Sequence, residues 1–280
     1  MNQFEAHAWK ADWLVAWLAS VGVTYLDRSV QLSWSRDPVP HAVFWARDEQ
    51  QIESTFPAGE IIDQLAISPE VEKFGTFSRK HFAPSSEYIA RSRLARLTAD
   101  LTLGSTMSDI GVQADEELPH SPFDPAAPGS TGSLGKRLQK VSREAESLSV
   151  RESMTGTGEV VAANGLGYDM RRLKQKSVPG AANLIDPVVE TFALFGSLLF
   201  TQRGPDTRGW TGRSMFKAGA FSWPTWSMPL GWAGVDAALD LHYAGNGSRD
   251  FDGSPVFDSV AYNPTASADV TRGFDGVQRR

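Results

Sequence analysis

The sequence contains no cysteine among its 280 residues. A disulfide framework and a thiolate metal site are therefore both excluded. The longest apolar run, VVETFALFGSLLF, is shorter than the roughly 20 residues that cross a bilayer, so no membrane span is expected. The first residues show no basic segment followed by an apolar stretch and a cleavage site, which argues against export. These absences predict a soluble cytoplasmic protein with no membrane contact.

Motifs for catalysis and cofactor binding are also missing. The five histidines are far apart, with no pair at the i, i+4 spacing of a helical zinc site. GSTGSLGKR has one residue too many between its outer glycines for a phosphate loop, and Arg137 replaces the magnesium-binding Ser/Thr. GLGYDM has Met170 where a dinucleotide fingerprint has its third glycine. No G-x-S-x-G motif is present. We therefore expect a non-catalytic protein without a metal or cofactor.

Charge is unevenly distributed along the chain. The formal net charge is −6, but residues 1–129 carry −8, residues 130–217 carry +5 and residues 218–280 carry −3. The acidic total argues against a protein that binds nucleic acid on its own. The positive central block nevertheless predicts a local basic surface.

Local patterns predict an α+β fold. A hydrophobic content of 41% suits a sizeable core. HAWKADWLVAWLASVG predicts an amphipathic helix with Trp9, Trp13 and Trp17 on its core-packing face and Gly22 as its stop. VQLSWS and HAVFWA, separated by RDPVP, predict a hairpin. DPVVETFALFGSLLF predicts a buried helix capped by Asp186.

The other segments predict mixed helices and short, mainly antiparallel strands without a regular β-α-β rhythm. Helices are expected in SSEYIARSRLARLTADL, KRLQKVSREAES and GVDAALDLH, strands in SLSVRESM, MFKAGAFSWPTW and VFDSVAY, and an acidic turn in DFDGSPVFD. The Gly-, Ser- and Pro-rich segment 104–135 predicts a loop or linker between an N-terminal part, 1–103, and a C-terminal part, 136–280. One domain with a long loop and two halves around a linker are both open.

The main functional signal is a pair of cationic clusters interleaved with glycines and aromatic residues. Glycine lets a backbone approach a phosphate, arginine makes bidentate contacts, and tryptophan can stack on a base. The two clusters flank the predicted buried helix. The predicted nucleic-acid-binding residues are Asn164, Gly165, Gly167, Arg171, Arg172, Lys174 and Lys176 in the first cluster, and Arg203, Arg208, Trp210, Arg213 and Lys217 in the second.

Several blocks of the sequence resemble those of one known group of proteins. ADWLVAWLASVGV is similar to the Trp/Leu-rich helix with which some CRISPR-associated subunits begin. PFDPAAPGSTGSLGKRL, NGLGYDMRRL, DPVVETFALFGSLLF and RGW…FSWPTWSMPLGWAGVDAALD resemble blocks of accessory or large-subunit-like proteins of type I systems of the I-U or I-G kind. The chain departs from that pattern in length, because large subunits of such complexes are usually longer.

The resemblance implies a non-catalytic subunit of an antiviral, RNA-guided ribonucleoprotein. Guide pairing would read the target sequence, while this chain would contact the guide RNA and target DNA backbones and sense a short flanking motif. Other CRISPR-associated subunits would be its partners in a hetero-oligomer. The acidic first part is compatible with this role, since partner subunits can supply positive charge.

Two other interpretations stay open. An enzyme acting on a small anionic substrate would use the same cations to clamp phosphate or carboxylate, with an acid such as Asp169 as its base. A purely structural assembly subunit would instead dock its Trp-rich helix on a partner, and residues 1–22 would then be needed for assembly.

Overall fold

The computed structural model describes residues 1–57, 140–141, 143–162, 184–197, 220–244, 250–262, 271–272 and 277–279. Within these ranges the fold is α+β, with helices and short antiparallel strands. The helices are α1 (Leu14–Leu26), α2 (Glu49–Ser54), α3 (Val150–Thr155), α4 (Pro187–Ser197) and α5 (Trp232–Ala244). The strands are β1 (Asn2–Lys10), β2 (Gln31–Trp34), β3 (His41–Ala46), β4 (Val161–Ala162), β5 (Leu184–Ile185), β6 (Ala220–Pro224), β7 (Val256–Tyr262), β8 (Thr271–Arg272) and β9 (Val277–Gln278).

The N-terminal sheet is antiparallel and has the strand order β1-β3-β2. The hairpin predicted from VQLSWS and HAVFWA is confirmed as β2 and β3. Side chains alternate between the two faces, as strand geometry requires. Phe4, Phe44 and Leu32 are aligned on the face that joins the main core, whereas Glu5 and Val43 pair on the opposite face.

The tryptophan-rich helix predicted over residues 7–22 is wrong at both ends. Trp9 lies in β1, and α1 begins at Leu14 and continues through Gly22 to Leu26. Trp9 and Trp17 are both 0% exposed. These two rings belong to the core, so they do not offer the partner-docking face that the structural-subunit interpretation required.

Helices α1 and α4 cross with their backbones in direct contact. A Cβ atom at Gly22 would overlap the backbone carbonyl oxygen of Phe192, and one at Gly196 would overlap that of Leu18. Only glycine lets two helices approach so closely. Gly22 therefore does not end α1, because it is an interior position that α4 covers.

Asp186 caps α4, as predicted. Its Oδ1 accepts hydrogen bonds from the backbone N–H groups of Val188 (3.0 Å) and Val189 (3.2 Å), which the first turn of a helix otherwise leaves unpaired. Its Oδ2 accepts a hydrogen bond from the hydroxyl of Ser153 (2.7 Å), whose oxygen in turn accepts one from the Trp9 indole (3.1 Å). This chain of bonds joins β1, α3 and α4.

Three buried indole N–H groups attach the C-terminal residues to the N-terminal sheet and α1. A buried indole needs a hydrogen-bond acceptor, and each of these donates to a backbone carbonyl oxygen. The bonds run from Trp17 to Pro224 (3.0 Å), from Trp223 to Ala11 (2.7 Å) and from Trp226 to Leu32 (2.7 Å).

The free edge of β2 is also covered by the C-terminal part. Leu32 and Leu230 exchange two backbone hydrogen bonds of 2.9 Å, and the Trp34 amide donates to the Trp226 carbonyl at 2.8 Å. Pairing of this kind removes an exposed edge that could recruit another strand. One hydrophobic core consequently contains residues from both ends of the sequence, from Ala6 to Phe257.

The C-terminal sheet has the order β6-β7-β8, with β9 paired to β7. The acidic turn predicted from DFDGSPVFD is confirmed. Asp252 and Gly253 have φ angles of 50° and 75°, and the Asp252 carboxylate accepts hydrogen bonds from Ser227 and Ser254. The strand after this turn, β7, matches the one predicted from VFDSVAY.

The strand predicted from SLSVRESM is wrong, because residues 150–155 form α3. Ser149 caps this helix by accepting from the Glu152 amide at 3.3 Å. The Glu53 carboxylate of α2 also accepts hydrogen bonds from the Val150 and Arg151 amides (3.2 and 2.8 Å). A carboxylate at a helix N-terminus stabilises it, and this one comes from a distant part of the sequence.

Other predicted elements agree with the structure wherever it describes them. GVDAALDLH lies in α5, AFSWP forms β6, and residues 140–141 and 143–145 of KRLQKVSREAES are helical. The helix predicted over 85–101 and the loop predicted over 104–135 lie outside the described residues. In the part of the chain that the structure covers, no helix is both long and apolar enough to cross a membrane.

Replacing either crossing glycine by alanine should lower the free energy of unfolding by about 3 kcal/mol or more, because the added methyl group meets rigid backbone. Gly22→Ala and Gly196→Ala are compared with Gly234→Ala, in which the new Cβ meets only the Leu230 side chain, at 3.3 Å. This control should stay within about 1 kcal/mol of the parent protein. Urea unfolding measures all three. Equal losses for the three variants would contradict the direct backbone contact.

Removing the cap of α4 should lower the free energy of unfolding more than removing an exposed helix cap. Asp186→Ala loses two backbone hydrogen bonds and leaves the buried Ser153 hydroxyl without this acceptor, so we expect a loss of about 2 kcal/mol or more. Asp48→Ala, which removes the cap of the short helix α2, should cost about 1 kcal/mol. Thermal and urea unfolding compare the two, and a larger loss for Asp48→Ala would contradict this ranking.

Candidate functional site

The two cationic clusters predicted from the sequence lie outside the described residues. The structure does describe the positions between which they occur. Ala162 and Leu184, which precede and follow the first cluster, are antiparallel partners in β4 and β5. The second cluster lies between Ser197, the last residue of α4, and Ala220, the first residue of β6.

A separate polar cluster is formed by Glu5, His7 and His41 on the outer face of the N-terminal sheet. Glu5 and His7 are two residues apart in β1 and therefore lie on the same face of that strand. His41 is the first residue of the neighbouring strand β3. Its side chain is 4% exposed, against 42% for Glu5 and 61% for His7. His41 is thus the buried member of the cluster, whereas Glu5 and His7 are accessible to solvent.

The three side chains are close enough to share one ligand. Oε2 of Glu5 lies 3.3 Å from Nε2 of His7 and 3.3 Å from Nε2 of His41. The two imidazole rings have their centroids 4.5 Å apart. Each residue offers one donor atom, and the three atoms lie within 4.8 Å of one another. In the described ranges, these residues form one group of three that could hold a metal ion.

Two further residues surround the other nitrogen of His41. Nδ1 lies 3.0 Å from Oδ2 of Asp37 and 3.0 Å from Oγ of Ser35. The backbone N–H of His41 donates to the same Ser35 oxygen at 3.0 Å, and the Ser35 hydroxyl donates to Asp37 at 3.0 Å. The loop between β2 and β3 therefore fixes the orientation of the His41 ring.

Burial is the largest influence on the pKa of His41, and it lowers that pKa because the imidazolium is poorly solvated. The hydrogen bond with Glu5 and the charge of Asp37 raise the pKa, while His7 and Lys10 lower it. The net result is a pKa below the ordinary value for histidine. The lowered pKa favours the neutral imidazole, which is the form that can donate a nitrogen lone pair to a bound ion.

An irregularity in strand pairing occurs beside this cluster. Ala6 is paired with Ala42, but His41 is paired with Lys10 instead of His7. The three residues between Ala6 and Lys10 therefore have no partner in register. Such bulges redirect side chains and are common next to functional sites. Here the bulge contains His7, whose ring centroid lies 4.5 Å from that of His41.

Glu5 and His7 also line an open cleft of about 410 Å³ between β1, α2 and α3. Its opposite side carries the exposed ion pair of Glu49 and Arg151, with 3.2 Å between Oε1 and Nε. Solutes that enter the cleft can therefore reach Glu5 and His7. His41 does not line it.

A buried serine–histidine pair, Ser222 and His242, is unsuited to catalysis. Oγ of Ser222 lies 3.0 Å from Nε2 of His242, and both residues are 0% exposed. A nucleophile needs contact with its substrate, and this pair is enclosed between β6 and α5. It satisfies polar groups within the core.

Sequence reasoning missed the Glu5, His7 and His41 cluster. The histidines match no helical metal-site spacing, and residues 7–10 of β1 fall within the helix predicted over 7–22. Glu5 and His7 alternate with Phe4 and Ala6, which is the period-two signal of a strand. That signal could have placed the first two residues together, but His41 joins them only through strand pairing.

No family model, no curated protein and no solved structure matches this chain.

Proposed function

We propose that the protein is a non-catalytic, nucleic-acid-binding subunit of an RNA-guided ribonucleoprotein of the CRISPR type. The observation that carries this proposal is the pair of cationic clusters, 164–176 and 203–217, in a chain that is otherwise acidic. Phosphate backbones are bound chiefly by Lys and Arg, and the middle block carries +5 while the flanking blocks are negative. The resemblance to type I subunits of the I-U or I-G kind adds the guide-RNA context.

The two clusters lie on either side of β5 and α4 in the sequence. The first cluster ends at residue 176, before β5 begins at Leu184, and the second begins at residue 203, after α4 ends at Ser197. This proximity along the chain suits two clusters that act together.

The residue types in the clusters suggest a division of roles. Arg171, Arg172 and Lys174 would neutralise phosphates, and Gly165 would allow close approach of the backbone. Trp210 in the second cluster would stack on a base of an unpaired strand. None of these contacts requires a cofactor. Partner subunits in a cytoplasmic hetero-oligomer would supply further positive charge for the guide RNA and the target DNA.

Charge reversal at Arg171 and Arg172 should weaken nucleic-acid binding and reduce its dependence on salt. Each lost phosphate contact removes about 0.9 from the slope of log K against log salt on duplex DNA, or about 0.7 on a single strand. Arg171→Glu with Arg172→Glu should therefore lower the slope by about 1.8 or about 1.4. Fluorescence anisotropy with labelled RNA and DNA of mixed sequence, over a salt series, measures this.

The matched control reverses two exposed arginines outside the clusters, Arg28→Glu with Arg36→Glu. Both variants change the net charge equally, so the control should retain the slope of the parent protein. If the two double variants reduce the slope equally, binding follows net charge alone and the clusters have no special role. An unchanged slope in the Arg171 and Arg172 variant would likewise contradict the proposal.

A further inference from the structure

The imidazole of His41 lies between two carboxylates. Oδ2 of Asp37 is 3.0 Å from Nδ1, and Oε2 of Glu5 is 3.3 Å from Nε2. An imidazolium donates to both carboxylates. A neutral imidazole donates to one of them, and its other nitrogen can then bind a cation that the second carboxylate shares.

The surrounding hydrogen bonds allow the proton of a neutral His41 to lie on Nδ1. The Ser35 oxygen already accepts from the His41 backbone amide, and the Ser35 hydroxyl donates to Asp37. The Nδ1 proton can therefore be donated to Asp37, which leaves the lone pair of Nε2 directed at Glu5 and His7. A histidine that binds a metal through one nitrogen commonly donates its other N–H to a carboxylate in this way.

The distances match those around a small tetrahedral ion. With metal–nitrogen bonds of about 2.0–2.1 Å, neighbouring ligand atoms in a tetrahedron lie about 3.3–3.4 Å apart. Oε2 of Glu5 is 3.3 Å from each histidine nitrogen. Two of the three distances between ligand atoms, from Glu5 to His7 and from Glu5 to His41, thus already match a tetrahedral site. His7 has a side chain that is 61% exposed and can turn to complete the third.

We propose that Glu5, His7 and His41 form a binding site for a divalent transition-metal ion of the zinc class. Two imidazole nitrogens and one carboxylate oxygen suit such an ion, whereas calcium and magnesium prefer oxygen ligands alone. Asp37 and Ser35 orient His41 from the side away from the ion. Three protein ligands leave the fourth position of a tetrahedral ion for water or a solute, and two of the three ligands, Glu5 and His7, line the cleft. This site is independent of the two cationic clusters.

Zinc titration of the chelator-treated protein by isothermal calorimetry tests this site. The parent protein should bind one zinc ion tightly, and cobalt in its place should give the intense visible absorption of tetrahedral coordination. His7→Asn should weaken zinc binding by more than about 100-fold, beyond the 10–100-fold that loss of a residue orienting a ligand usually costs. His7 is exposed, so this variant should fold normally, which thermal unfolding without metal verifies.

Two further variants separate the ligands from their surroundings. Asp37→Asn keeps all three ligands and should weaken zinc binding by about 10–100-fold. Glu49→Gln removes a carboxylate from the same cleft without touching the cluster, and it should bind zinc like the parent protein. Equal zinc affinity in the parent protein and His7→Asn would overturn the proposal. An equal loss in Glu49→Gln, or cobalt absorption typical of six oxygen ligands, would also overturn it.

Discussion

The close crossing of α1 and α4 is the contact on which the rest of the fold depends. Both helices are buried along nearly their whole length, so each must be covered on several sides. Gly22 and Gly196 bring the two backbones together, and this leaves the remaining faces of α1 for the sheet and for the tryptophans of the C-terminal part. For example, the indole N–H of Trp17 in α1 donates a hydrogen bond to the carbonyl oxygen of Pro224 in the C-terminal part.

This arrangement also explains how distant segments come to share one core. The indoles of Trp223 and Trp226 reach back to Ala11 and Leu32, and residues 226–230 continue the N-terminal sheet. Each of these bonds satisfies a buried donor or acceptor that folding would otherwise leave without water. In the sequence, the first cationic segment lies between β4 and β5 and the second lies between α4 and β6. The outer face of the sheet carries the Glu5, His7 and His41 cluster, so the two proposals rest on different residues.

Local signals in the sequence were sufficient for some elements. Asp186 followed by Pro187 identified the start of α4, and RDPVP between two apolar runs identified the hairpin of β2 and β3. They failed where a distant residue decides the local structure. Gly22 looks like a helix stop, but Gly196 makes it an interior position. SLSVRESM alternates like a strand, yet the Glu53 carboxylate and the Ser149 hydroxyl cap it as a helix. The Glu5, His7 and His41 cluster was not predicted for the same reason, because only strand pairing brings His41 next to β1.

The role proposed for this chain is that of a subunit in an RNA-guided complex. The most direct measurement is purification of the tagged protein from its native cells, followed by sequencing of the co-purifying nucleic acid and mass spectrometry of the bound proteins. We expect short RNAs of uniform length together with several CRISPR-associated subunits. A protein that purifies alone and free of nucleic acid would contradict the claim.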